Sequence, residues 1–106
     1  RRLRDAMEPL KDRVAAIIPC LDEEAAIGRV VGAVRAQGIG HVIVVDGGSQ
    51  DATAARADEA GATVVVERRR GYGRAVQSGI EALPATTEIV LFLDGDGSDP
   101  PERIPD

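Results

Sequence analysis

Four short apolar runs recur along the chain, each leading into charged or polar residues and each followed, except the last, by a stretch long enough for a helix. They are VAAIIP (Val14–Pro19), HVIVV (His41–Val45), ATVVVE (Ala62–Glu67) and EIVLFL (Glu88–Leu93). None of them alternates apolar with polar residues, and β-branched side chains dominate, as in strands buried on both faces. Pro19 has no N–H to donate and is expected to stop the ladder of the first strand.

The intervening stretches have helical periodicity. In CLDEEAAIGRVVGAVRAQG, residues Ile27, Val30, Val31 and Val34 fall at i, i+3, i+4 and i+7. Asp22, Glu23 and Glu24 are placed to start that helix and complement its positive end, and Gly38 to close it. QDATAARADEAG predicts a second helix, capped at Asp51 and ended by Gly61. GYGRAVQSGIEALP predicts a third, with Val76, Ile80 and Leu83 on one face and Pro84 as its stop. Strands without alternation, joined by helices, must pair in parallel and be covered on both sides. The expected fold class is therefore α/β, three-layered and doubly wound, with about four mainly parallel strands.

With 106 residues there is room for one domain with a real core and not for two. The first 13 residues, mixed in charge and broken by Pro9, form a lead-in, and the domain runs over 14–106. A net charge of −5 and 2% aromatic residues, Tyr72 and Phe92, argue against a nucleic-acid binder. Cys20 is the single cysteine, so no internal disulfide can form and a reducing, cytoplasmic setting is the simpler expectation. No apolar run approaches the roughly 18 residues of a membrane span.

Ligands of doubly wound sheets bind beyond the carboxyl ends of the strands. Those exits carry Asp22 and Glu23, then Asp46, then Glu67 with Arg68 to Arg70, then Asp94 and Asp96, whereas the opposite ends around Gly40 and Ala62 are bland. Three motifs lie on the charged edge. VVDGGSQDAT (Val44–Thr53) leads a strand through an acid and two glycines into a helix start, and a carboxylate at a buried strand end needs a partner. RRRGYGRAVQSG (Arg68–Gly79) fails as a dinucleotide fingerprint, because the third glycine would fall at Val76 and the motif follows the third strand instead of the first. It still makes an anion site at a helix start, with Arg74 in the first turn, and leaves open whether the three arginines are more than a solvated loop.

DGDGSD admits several chemistries. An EF-hand fails, since counting from Asp94 puts Asp99 at the sixth position and Pro105 at the twelfth. Asp94 as nucleophile and Asp96 as acid would suit a phosphatase of the haloacid-dehalogenase type, although that motif normally opens its domain. An Asp-x-Asp pair holding Mg²⁺ or Mn²⁺ at a substrate's phosphates is the third possibility.

Taken in series, AAIIPCLDEEAAIGRVVGAV, VIVVDGGSQDAT, RGYGRAVQSGI and IVLFLDGDGSDPPE resemble the nucleotide-sugar-binding half of family 2 glycosyltransferases of GT-A fold, and among them the polyprenyl-phosphate sugar transferases. The resemblance implies a Rossmann-like three-layer half-domain and a metal-dependent, inverting transfer from a UDP- or GDP-sugar, a polyprenyl phosphate being one candidate acceptor. It implies donor contacts at Pro19, Leu21, Glu23, Glu24, Asp46, Gly71, Arg74 and Asp94, with Mg²⁺ or Mn²⁺ at Asp94 and Asp96. Where the family commonly has two adjacent acids, this chain has Asp46 followed by Gly47, and Ser98 stands where related lipid-phosphate transferases often have Gln. The general base and the acceptor half are expected beyond Asp106, and the expected location is the cytoplasm or the cytoplasmic face of a membrane. Besides the phosphatase, a non-catalytic nucleotide-binding module is the remaining alternative.

Overall fold

The computed structural model describes residues 8–95. A 3₁₀ helix over Glu8–Arg13 leads into β1 (Val14–Cys20), followed by α1 (Ile27–Ala36), β2 (His41–Asp46), α2 (Thr53–Glu59), β3 (Thr63–Val66), α3 (Tyr72–Glu81) and β4 (Ile89–Phe92). All strand pairs are parallel, in the order β3-β2-β1-β4. The chain winds outward from β1 to β3, then crosses back to place β4 on the other side of β1. The switch point therefore lies between the carboxyl ends of β1 and β4.

Side-chain alternation along the central strands divides the core in two. Ala16, Ile18, Val42 and Val44 meet Ile27, Val30, Val31 and Val34 of α1 and Ala57 of α2 on one face. Ile17, Ile43 and Val45 face the other way, under Ala75, Ala82 and Leu83. The three-layer α/β/α expectation holds, and the α1 stripe is the one its periodicity predicts, each side chain at most 1% exposed. Burying such a Val or Ile contributes ~1.5–3 kcal/mol.

Several local expectations change. Pro19 does not stop β1, which pairs with β2 as far as Cys20 opposite Asp46. Ile17 O accepts from Leu93 N on one side and Cys20 O from Gly47 N on the other, so alternation aims the Pro19 nitrogen at β4, where pairing ends at Ile17 opposite Phe92. The strand loses one neighbour there and keeps the other. Residues 22–24 do not open α1 either: the helix begins at Ile27, after Ala26, with no acid in its first turn. Within α3 the sheet-facing residues are small, Gly79 buried and Ala75 on the core; Ala82 and the predicted Leu83 pack there just past its end, while Ile80 is 48% exposed. The outer strands β3 and β4 are only half covered: α1 and α3 lie over the central strands, and α2 alone also reaches β3.

Candidate functional site

Two adjoining clefts open at the carboxyl ends of the strands, and Pro19, Cys20 and Leu21 at the end of β1 line both. The larger, about 500 Å³, continues over Gly47 to Arg68, Arg69, Arg70 and Tyr72. The smaller, about 250 Å³, lies at the switch point, with Glu23 and Asp94 on its walls and Gly95 beside them. Gly95 permits this close approach, since a Cβ there would stand 2.5 Å from Cys20 Cβ.

The β3–α3 loop is held by Glu67, a buried carboxylate. Its Oε2 accepts the Arg69 amide at 3.0 Å, its Oε1 accepts Ser78 Oγ at 2.9 Å, and the Arg69 guanidinium closes on both oxygens. The Arg69 side chain first, then the Arg69 amide and the Ser78 hydroxyl, bring the Glu67 pKa down from 4.5 to about 2. Gly71, at φ 111°, then turns the chain into α3, a conformation that favours glycine. Because the folded pKa lies below the unfolded one, the stabilisation is complete above about 4.5 and is lost as pH falls towards about 2. Thermal melts of wild type and Glu67→Gln should therefore differ most at neutral pH and converge across that window. A difference constant from pH 6 to pH 2 would contradict this account of the loop.

The β1–α1 and β2–α2 loops are fastened to each other. Asp22 N donates to Ser49 Oγ at 2.8 Å, and Gln50 N donates to Asp22 Oδ1 at 2.9 Å. Glu23 N donates to Thr53 Oγ1 at 2.8 Å, Glu24 N to Asp51 Oδ2 at 3.3 Å, and Ala52 N to Glu24 Oε2 at 3.1 Å. Asp51 also accepts Thr53 N at 2.9 Å and the Thr53 hydroxyl, and these bonds, the hydroxyl foremost, hold its carboxyl below the usual range. Asp51, predicted as the cap of α2, is not it: the N-cap is Ala52 without a side-chain cap bond, and the Asp51 carboxylate one residue earlier ties the two loops together. The Cys20 thiol, pushed up to about 12 by burial and then by Asp46, stays neutral.

The sequence-predicted residues thus separate. Pro19, Leu21 and Gly71 line the larger cleft, and Pro19, Leu21, Glu23 and Asp94 the smaller. Glu24 is committed to the loop fastening, Asp46 is 4% exposed, and Arg74 is exposed on the first turn of α3 without lining either cleft. Asp96, Ser98 and Asp99 lie outside the described residues. Arg68 to Arg70 turn out to be a cleft wall, with Arg68 packed over the Gly48 turn, where a Cβ would meet its Cγ at 3.1 Å. Their position directly after a strand exit was the available signal. Among the described residues no three His, Cys, Asp or Glu side chains gather as a metal cage. Asp94 and Glu23 on the walls of the small cleft carry hard oxygen donors of the kind Mg²⁺ or Mn²⁺ takes. No described helix is long and apolar enough to cross a membrane.

Known proteins resemble the chain in sequence and in fold. A family model described as "Glycosyl transferase family 2" matches residues 15–106. An uncharacterised glycosyltransferase of Mycobacterium tuberculosis is 48% identical over 88 residues, covering 82% of this chain and 38% of that protein. The undecaprenyl-phosphate 4-deoxy-4-formamido-L-arabinose transferase of Shewanella sediminis is 29% identical over 106 residues, covering 89% of this chain and 31% of that one. The crystal structure of glucosyl-3-phosphoglycerate synthase from M. tuberculosis with Mn²⁺, UDP-glucose and phosphoglyceric acid superposes with a TM-score of 0.74 at 29% identity, over 90% of this chain and 38% of that one. The chain spans well under half the length of these proteins.

Proposed function

The chain belongs to glycosyl transferase family 2, and we propose that it forms the donor side of a metal-dependent, inverting transfer of a sugar from a UDP- or GDP-sugar. The observation that carries this is the pair of clefts sharing Pro19, Cys20 and Leu21 at the switch point, one walled by arginines and the other by Asp94 and Glu23. The nucleoside suits the larger cleft, against Pro19, Leu21 and Tyr72, with the start of α3 after Gly71 and the arginine wall turned to negative charge. Asp94 and Asp96 would hold Mg²⁺ or Mn²⁺ beside the diphosphate, where a cation neutralises the charge of the leaving nucleoside diphosphate. Mn²⁺ and UDP-glucose in the structural neighbour support that assignment.

The acceptor follows less directly. Phosphoglyceric acid is bound by the neighbour, and undecaprenyl phosphate is the acceptor in the name of the Shewanella relative, so a phosphorylated acceptor is the class we favour, a polyprenyl phosphate included. No general base is assigned among the described residues. The phosphatase assignment of Asp94 finds no support in the family match, and the fourth-strand position of this acid disfavours it.

Calorimetry with UDP, GDP and ADP, with and without Mn²⁺, tests the proposal. UDP or GDP is expected to bind measurably only with the cation, and ADP more weakly. Equal, cation-independent binding of all three, or none by any, would overturn it.

A further inference from the structure

Asp46 stands at the exit of β2, yet it lines neither cleft. Both hydrogen bonds to its side chain among the described residues come from Ser49, the amide at 3.1 Å and the hydroxyl, and both end on Oδ1. The Ser49 oxygen also accepts the Asp22 amide, so its single proton is directed at Asp46. A chain of bonds therefore runs from Asp22 N–H through the Ser49 hydroxyl to the Asp46 carboxylate, and the Asp22 carboxylate returns to Gln50 N. Asp22 is the one non-glycine residue of positive φ among the described residues, at 51°. Aspartate tolerates that conformation at some cost, and here the backbone N–H and the side chain are both held. Its neighbours on either side, Leu21 and Glu23, are the residues that reach the clefts.

We propose that Asp46 and Ser49 are positioning residues: they set the β1–α1 loop through Asp22, keep Leu21 and Glu23 on the cleft walls, and do so without Asp46 touching the nucleoside. The functional consequence rests on the donor-site proposal above, whereas the loop coupling does not. A carboxylate makes the Ser49 bond charge-assisted and so stronger than a neutral one. Without it, Asp22 N–H loses its oriented acceptor, the loop samples other conformations, and affinity falls with the competent fraction.

The test uses Asp46→Asn, Ser49→Ala, their combination and Ser49→Thr in the whole chain. Calorimetry with UDP and GDP in Mn²⁺ is paired with amide hydrogen exchange without nucleotide. Each single variant is expected to weaken UDP and GDP by the same factor, ~10-fold if a tenth of the molecules keep the loop in place. The double variant should be no worse than the weaker-binding single, Ser49→Thr should restore binding, and exchange at Asp22 should rise in both singles while the centres of β1 and β2 stay protected. An Asp46→Asn variant that changes the preference between UDP and GDP, with Ser49→Ala neutral, would mark a direct contact and overturn the proposal. Should the wild type bind neither nucleotide, the donor-site proposal fails and exchange alone decides: faster exchange at Asp22 in both singles supports the positioning role, and unchanged exchange overturns it.

Discussion

Gly79→Ala is expected to destabilise the chain by ~1–2 kcal/mol and Gly79→Val by ~3 kcal/mol or more, against the usual gain from replacing a helical glycine. A Cβ at position 79 would stand 2.5 Å from Ile17 Cγ2, 3.1 Å from Ile17 Cδ1 and 3.2 Å from Val45 Cγ2. Both partners belong to central strands and are at most 1% exposed, so neither can swing aside into solvent. Overpacking of this kind costs ~1–3 kcal/mol, and the ~1 kcal/mol by which alanine favours a helix over glycine offsets only part of it. Valine adds two methyl groups to the same contact and is the poorer helix former of the two. Gly32, on α1, provides the opposite case: nothing outside the backbone of its own helix lies within 4 Å of its Cβ position, so Gly32→Ala should stabilise by ~0.5–1 kcal/mol. Urea unfolding followed by circular dichroism reads both, and a Gly79→Ala midpoint at or above that of wild type would refute the close-packing account. The effect also reaches the clefts, because lifting α3 displaces Tyr72 and Ser78, the latter a partner of Glu67.

Asp94→Ala should reduce cation-dependent nucleotide affinity by ~100-fold, about 2.7 kcal/mol, with little change in folding stability. The stability half follows from exposure: the Asp94 side chain is exposed and makes no hydrogen bond or ion pair among the described residues. The binding half follows from its place on the small cleft, which Glu23 also lines. Asp94→Asn keeps the shape and removes the charge, so it should lose nearly as much affinity if charge is what the cation needs. Calorimetry with UDP over a Mn²⁺ titration measures this. Variants that bind UDP as wild type does, with the same Mn²⁺ dependence, would remove Asp94 from the metal site.

The fold was legible because its evidence is local and repeated. Apolar runs without alternation, joined by helix-length stretches, allow little besides a parallel, doubly covered sheet, and α1 shows its buried stripe directly in the spacing of Ile27, Val30, Val31 and Val34. The third helix was less legible. Hydrophobicity favoured Ile80 as a core residue, but the sheet selects Ala75, Gly79 and Ala82, because only small side chains let a helix lie this close to Ile17 and Val45. The acids at residues 22–24 misled for a similar reason. Charge before a helical pattern suggests a helix start, whereas their hydrogen-bond partners Ser49, Gln50, Asp51, Ala52 and Thr53 lie 27 to 30 positions away, beyond any local rule.

By itself the sequence determined the layering, the parallel pairing and the edge at which the charged strand exits gather. Strand and helix periods are local properties, and parallel strands joined by crossovers bring their carboxyl ends to one side. Only the tertiary structure decided which acids of that edge line a cleft and which are bonded to protein groups. Glu23 and Asp94 reach the small cleft, Asp46 is turned onto Ser49, and Glu67, on the wall of the larger cleft, is bonded to Arg69 and Ser78. The physical reason is the cost of burying a carboxylate. One at a buried strand end must find donors, and whether those are protein groups or a bound ligand depends on loops that meet only after folding.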